Sequence, residues 1–402
     1  MTMPLEGVKV LDMGWVMVGP YSGRILSDLG AEVVKLESAK RIDPLRTLGP
    51  FKDGVPGPER SLSYHNFNAG KRSVTLDLAD PAGREAVLRL VDWADVAIES
   101  FRPGVLAGLS LDWPDLSARN PRLIMVSTSL LGSTGPDTKG TPGVGTMGAA
   151  MSGASLLVGW PGEAPVGPHG PWTDAITPRF ILPAVLAALH RRRETGAGAH
   201  LDVSQAEAGL QFYTPLLYAA QANGTSPSAP GLSGAALRAP HGVYACAGED
   251  AWVAIDASAD APWARLRAEV GGALAAPQFD TLLGRLRGRE RLDAALSAWT
   301  APQDATGVER RLQAAGVPAH AVSSPVDLAR DPELTGAHYA RIQDPVFGEG
   351  VIEGPRLRFS RTPPRPASRA PRIGEHTREV LAGICGYPPE RIDEMEAAGI
   401  LR

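Results

Sequence analysis

The sequence is short of cysteine and aromatic residues, and neither sign of charge is in clear surplus. Cys246 and Cys385 are its two cysteines. That excludes a disulfide framework or a cysteine-rich metal site and fits a reducing cytoplasm. Lys and Arg number 40 against 44 Asp and Glu, a formal net charge of −4. Such a balance leaves no basic footprint for nucleic acid and no polybasic membrane patch. No run approaches the roughly 18 uninterrupted apolar residues of a membrane span. The opening "MTMPLEGVKVLDMG" lacks the charged and apolar regions of a signal peptide. The eight histidines are scattered, with no pair at i+3 or i+4 to grip a metal. His190, just before "RRR", reads as a helix C-terminal residue, and Cys246 as core. A nucleophile elbow and a Walker A loop are missing as well. A cytoplasmic enzyme or binding protein remains.

What is present is an α/β pattern in 402 residues, long enough for two domains. "VKVLDM" (8–13), "EVVKLE" (32–37), "RSVTLDL" (72–78), "DVAIES" (95–100), "LIMVSTS" (123–129) and "AHLDVSQ" (199–205) read as strands. Helical segments alternate with them, one starting at Asp80-Pro81 as cap and first position. This alternation predicts a parallel, doubly wound sheet. The polar insert 38–71 falls where a functional loop would cover the carboxyl edge. A Gly/Pro/Ser-rich stretch at 222–240 reads as a linker. Beyond it "HGVYACAGEDAWVAIDA" predicts a hairpin turning at Gly248-Glu249-Asp250, followed by helices over 262–274, 279–300 and 304–316.

Within "PHGPWTDAITPRF" (168–180) a single carboxylate, Asp174, precedes an apolar helix with Thr177 as N-cap, Pro178 at its first position and a kink or restart at Pro183. It is either a solvated surface acid or a group held for chemistry. A carboxylate at a helix N-terminus meets free N–H groups that keep it ionised near neutral pH. Such a group is a competent nucleophile toward an activated acyl carbon. "GVGTMG" (143–148) matches G-x-G-x-x-G, but no strand leads into it and the next acid, Glu163, sits in a turn. Close backbone packing or a substrate-facing loop is the better reading than a dinucleotide site.

Several blocks in register resemble the class III CoA-transferases, the group of formyl-CoA and carnitine CoA-transferases. These are "PLEGVKVLDMGWVMVGPYSGRILSDLGAEVVKLE", "NFNAGKRSVTLDLADPAGREAVLRLVDWADVAIESFRPG", "NPRLIMVSTSLLGSTGP", "HRRRETGAGAHLDVSQAEA" and "PRIGEHTREVL". The likeness spans nearly the whole chain and is weakest at 220–320. It implies transfer of CoA from a donor acyl-CoA to a carboxylic acid, with CoA as substrate and no tightly bound cofactor or metal. Asp174 falls at the family's nucleophile position, between "MSG" (151–153) and "RETGAG" (193–198). Its attack on the thioester would give an aspartyl mixed anhydride, then an aspartyl–CoA thioester that the acceptor resolves.

For CoA, the resemblance implies Val16, Met17, Val18, Ser38, Lys40, Arg41, Arg72, Leu76, Ser100, Phe101 and Arg102. The chain departs from the family in three places. Ser38 stands where some members have Arg, Ser100 replaces the Asn of E-N-F-R-P-G, and Val144-Gly145 replaces the Tyr-Asp of P-G-Y-D. The last change opens the acyl pocket and removes a charge. With Arg179 one turn beyond Asp174, the pattern is similar to the benzylsuccinate branch and implies a bulky, aromatic or dicarboxylic acyl group.

The fold implied is a Rossmann-like large domain made by both chain ends (1–215 and the later part of 326–402, a segment that opens with a linker), a linker at 216–240 and a small α+β domain at 241–325, in an interlocked homodimer or heterodimer. An acyl-CoA racemase of related fold and a CoA-binding subunit of a heteromeric transferase are the alternatives. No His stands in "SLLGSTGPDTKG" as a racemase would have it.

Overall fold

The computed structural model describes residues 3–134, 141–225, 229, 231, 237–355, 357–362 and 368–402. The segment 135–140 and much of the expected linker at 222–240 lie outside the described residues. Two compact units result, one of residues 1–153, 168–217 and 332–402, the other of 154–167 and 218–331.

The first unit is built on a parallel sheet of order 3-2-1-4-5-6. Its strands are β1 (Lys9–Asp12), β2 (Glu32–Glu37), β3 (Arg72–Thr75), β4 (Val96–Glu99), β5 (Ile124–Ser129) and β6 (Ala199–Ser204). β1 pairs with both β2 and β4. The strand order therefore reverses at β1, and a crevice opens at the carboxyl ends there.

Both faces of the sheet are covered. On one face α1 (Val18–Asp28) and the long helix α6 (Pro178–Thr195) pack on Val10, Val33, Val96, Ile98 and Val126. The other face carries α2 (Pro81–Trp93), α3 (Trp113–Arg119) and two helices near the carboxyl end of the chain. Apolar residues at helical spacing explain the fit: Ala86, Val87, Leu90 and Val91 of α2 are wholly buried. At about 1.5–3 kcal/mol for each large side chain, they fix this layer. As the sequence predicts, Asp80 caps α2 by accepting from the Ala82 N–H, and Pro81 takes the first position.

The helices around the nucleophile position are short: α4 (Gly145–Met151), α5 (Trp172–Ile176) and α7 (Gln205–Leu210). Thr177 does not cap α6. Its backbone is already helical (φ −53°, ψ −38°), and its hydroxyl donates to Thr173 O at 2.7 Å. α5 thus runs almost directly into α6, which continues through Pro183 without restarting. β3 ends at Thr75, three residues earlier than expected: Leu76 still bonds Glu37 O, but the Asp77 N–H leaves the ladder for Ile400 O.

In the second unit the expected hairpin forms, β7 (His241–Ala245) against β8 (Trp252–Asp256). Gly248 and Asp250 take positive φ at its turn. Helices α8 (Asp260–Val270), α9 (Leu282–Arg287), α10 (Arg289–Thr300) and α11 (Ala305–Ala314) follow. The single helix expected over 279–300 breaks at Gly288, where a Cβ would meet the Phe279 ring at 2.8 Å. A three-residue strand, β9 (Ala319–Ala321), completes the sheet and was too short to be read from its sequence.

Residues 332–402 return to the first unit with a hairpin, β10 (Tyr339–Asp344) and β11 (Gly348–Glu353), then α12 (Thr377–Gly383) and α13 (Pro389–Ala397). They close the outer edge of β3. The His376 N–H donates to Ser73 O at 2.9 Å, the Thr75 N–H to Thr377 Oγ1 at 3.0 Å, and the Asp77 N–H to Ile400 O at 2.8 Å.

Candidate active site

Asp174 lies in the first turn of α5 and is 5% exposed. Glycines bring α4 against it. The Gly145 N–H donates to Asp174 Oδ2 at 2.8 Å, and a Cβ at 145 would stand 2.3 Å from that oxygen. A Cβ at Gly148 would likewise meet Thr173 Oγ1 at 2.3 Å. "GVGTMG" is therefore a close-packing motif, as the missing strand before it implied. The Thr173 hydroxyl lies 3.1 Å from both Gly145 O and Gln205 Oε1. Accepting at Oε1 leaves the NH2 of Gln205 for Asp174, to which this side chain also hydrogen-bonds. Gln205 is set by Ser204, the N-cap of α7, which accepts from the Glu207 N–H at 3.2 Å.

The Asp174 carboxyl is pushed up to about 6. Burial is the dominant cause. The N–H groups of Gly145 and Val18 and the Gln205 amide pull the other way, and no charged side chain among the described residues contributes. This reverses the direction expected from a helix N-terminus alone, because α5 is too short to offset desolvation. The carboxylate is still the major form at pH 7. It is desolvated, bonded by the Gly145 N–H at 2.8 Å and further favoured by the Gln205 amide and the Val18 N–H, with no cation among the described residues acting on it. Such a group is suited to attack an activated acyl carbon.

A cavity of about 300 Å³ opens at the carboxyl ends of β1–β4. Ser38, Arg41, Leu76 and Phe101, four of the residues expected to hold CoA, line it. Trp15 and Asp77, not foreseen, do so as well. The Arg41 guanidinium sits over the Trp15 ring at 5.5 Å, and Trp15 meets Phe101 edge-on at 5.4 Å. Lys40 Nζ pairs with Asp77 at 2.6 Å. Glu99 accepts the Phe101 N–H at 2.8 Å and sets that turn; burial pushes its carboxyl up to about 7.

The other expected residues fall elsewhere. Val16, Met17 and Val18 form the turn into α1, and the Val18 N–H acts on Asp174. Ser100 clamps that turn through Trp15, and Arg102 is exposed. Arg72 stands at the opposite end of β3, tied to Glu32 and Glu379. Val144 is exposed beside Gly145. Arg179 bonds Ala175 O and lines a separate cavity of about 240 Å³ with α1 side chains such as Tyr21 and Ile25. Asp174 is not among that cavity's walls. Among the described residues no three His, Cys, Asp or Glu side chains gather as a metal site, and no helix is long and apolar enough to cross a membrane.

Asp174 is not a wall of the strand-end crevice either. A buried, donor-held aspartate and a crevice at the strand reversal, in one unit, agree with the family comparison, in which CoA-transferase family III matches residues 5–377. The chain belongs to this family. The enzyme is 31% identical over 406 residues to the succinyl-CoA–D-citramalate CoA-transferase of Chloroflexus aurantiacus, across 99% of this chain and 98% of that one. It is 32% identical to the alpha subunit of the succinyl-CoA–L-malate CoA-transferase of the same organism, across 99% and 93%. Its fold is similar to the crystal structure of a CaiB/BaiF family protein from Brucella suis. The TM-score is 0.86 and the identity 30%, over 96% of this chain and all of that one. The transferase thus acts on CoA thioesters and carboxylic acids.

Proposed function

We propose that the transferase moves CoA between dicarboxylic acids of four or five carbons through covalent intermediates on Asp174. An Oδ of Asp174 bonds to the donor's thioester carbon, the C–S bond breaks, and CoA leaves as thiolate. The thiolate then attacks Cγ of Asp174 in the mixed anhydride, releasing the donor acid and leaving an aspartyl–CoA thioester. The acceptor carboxylate attacks Cγ of that thioester, the C–S bond breaks to release the CoA thiolate again, and a second anhydride forms between Asp174 and the acceptor. Attack by the thiolate on the acceptor's carbonyl then completes transfer and restores the aspartate. The anhydride conserves the thioester's activation, so no nucleotide is consumed.

The observation that carries this reading is the main-chain donor on the buried carboxyl, the Gly145 N–H at 2.8 Å from Asp174 Oδ2, with the Val18 N–H also favouring the ionised form. Each time Cγ is attacked, one Asp174 oxygen becomes an oxyanion. A preorganised donor at 2.7–3.1 Å stabilises such a charge by about 3 kcal/mol. CoA would lie in the crevice of a Rossmann-like large domain, with its adenine between Trp15 and Leu76 and its phosphates near Lys40 and Arg41. The substrate class rests on the relatives named for citramalate and malate.

Intact-mass measurement tests the reading. Succinyl-CoA, against a panel including oxalyl- and benzylsuccinyl-CoA, should leave a CoA-sized, hydroxylamine-sensitive adduct that peptide mapping puts on Asp174. No adduct with any thioester would overturn the mechanism; a preference for oxalyl-CoA would overturn the substrate class.

We also propose that two chains interlock. Met147 and Met151 of α4, Phe180 of α6, and Phe212 leave apolar surface exposed around the nucleophile, and patches of this kind are covered in assemblies. One relative being an alpha subunit, the second chain is either a copy or a related subunit. Light scattering of the purified chain should give twice the 42.3 kDa mass; an active monomer at micromolar concentration would refute interlocking.

A further inference from the structure

The turn between β1 and α1 is held more firmly than its length requires. Val16 has φ 62°, a left-handed conformation that a β-branched residue adopts only under constraint. Consecutive main-chain groups around it are tied to side chains from different elements. The Gly14 N–H donates to Asp12 Oδ1 (2.9 Å), and Gly14 O accepts from Lys35 Nζ (2.7 Å). The Trp15 N–H donates to Ser100 Oγ (3.0 Å), whose hydroxyl donates to Trp15 O (3.1 Å). The Val16 N–H donates to Asp43 Oδ1 (3.0 Å).

Behind these contacts lies a buried charge cluster. Lys35 Nζ and Asp43 Oδ2 are 3.3 Å apart, and Lys71 Nζ meets Asp12 Oδ2 at 2.6 Å, all four side chains fully buried. Burial pushes Lys35 down, but Asp12, Asp43 and Glu37 around it more than reverse this, so it stays charged. Buried ion pairs are seldom more stabilising than apolar side chains of the same volume. Two of them at the ends of parallel strands call for another reason. The turn they brace leads straight to the Val18 N–H, at the first position of α1, one of the groups that favour the ionised form of Asp174. Met17, the N-cap of α1, offers no side-chain bond to compete for that helix end.

We propose that Lys35 and Asp43 are positioning residues: the buried pair holds the strained turn at Val16 so that the Val18 N–H stays on the reacting carboxyl of Asp174. This rests on Asp174 being the nucleophile. Without the pair, Val16 relaxes to negative φ, the following peptides swing away, and one oxyanion donor is lost while the CoA crevice is left standing.

The test replaces both charges together, Lys35→Met with Asp43→Ala, so that no unpaired ion is buried. A folded protein is expected, with kcat lowered about 30-fold, donor KM within threefold, and slower formation of the Asp174 adduct. Adding Val16→Gly should recover most of kcat, since glycine takes positive φ without cost. If the pair variant does not fold, Ser100→Ala, which frees Trp15 without touching a charge, should lower kcat about fivefold and respond to the same rescue. A kcat within threefold of wild type in the folded pair variant, or in Ser100→Ala where the pair variant does not fold, overturns the proposal and leaves Asp174's role intact. So does a rise in KM with kcat unchanged, or no rescue by Val16→Gly. An adduct missing from Asp174 in the wild type overturns the nucleophile and, with it, this role.

Discussion

Asp174→Asn is expected to abolish transfer and, at pH 7, to raise the melting temperature. Loss of a covalent nucleophile costs at least about 10⁴-fold, and no other acid lies in α5 to replace it. The stability gain follows from proton linkage. Burial raises the folded carboxyl to about 6 from an ordinary 3.8. The native state therefore keeps a proton that the unfolded chain releases near pH 3.8. Stability is fully present below pH 3.8 and is lost as pH rises through 6. At pH 7 the ionised, buried carboxylate costs about 3 kcal/mol, from two pKa units at 1.36 kcal/mol each. Asn does not pay this cost, and its advantage should vanish in melts at pH 4. In the wild type, kcat/KM should fall tenfold per unit below about pH 6 as the nucleophile protonates. An Asn variant that melts lower at pH 7 than wild type would refute the burial argument; residual transfer above one part in a thousand would refute the nucleophile.

Gly145→Ala should be nearly as damaging, although it adds one methyl group and no charge. The new Cβ would lie 2.3 Å from Asp174 Oδ2, 2.8 Å from the Pro171 carbonyl carbon and 2.9 Å from its oxygen. Two of those atoms are main chain and yield little, so the carboxylate must leave the Gly145 N–H. Losing one such donor costs about 10²–10³ in kcat. CoA affinity, read by calorimetry, should be unchanged, because Gly145 is not a wall of the crevice. A kcat within threefold of wild type would show that α4 can shift, and would remove Gly145 from the mechanism. In this chain the Asp174 carboxylate fills the space that a side chain at 145 would need.

Much of the fold was legible because parallel strands buried on both faces read as short apolar runs between amphipathic helices. "EVVKLE" matches β2 residue for residue, and Asp80-Pro81 marks the start of α2. β9 was hidden because three residues, "AHA", carry no period. Thr-Pro before an apolar run looks the same whether the preceding residues are loop or helix, so the sequence suggests a cap at Thr177 where the structure has none. At the site, Asp174 stood out through the family pattern and not through local chemistry. Its pKa direction was out of reach, since burial is a property of the folded neighbours. Gln205 passed as one polar residue after a strand. Asp12 and Lys35 do carry a signal in the sequence: charged side chains inside strands that parallel sheets otherwise fill with apolar ones.

The closure of β3 by residues some 300 positions further on has a consequence for synthesis. Ser73 and Thr75 emerge from the ribosome long before Gly374, His376 and Thr377, which bond them. Val380, Leu381, Ile392 and Met395, which belong to the same core as Leu36 and Leu76, arrive later still. At about 5–20 residues per second, the nascent chain carries an open strand edge and a half-built apolar layer for about 15–60 s. During that interval it is exposed to strand-to-strand association with neighbouring nascent chains. Slower translation lengthens the exposure, and ribosomes stalled before residue 374 leave it permanent.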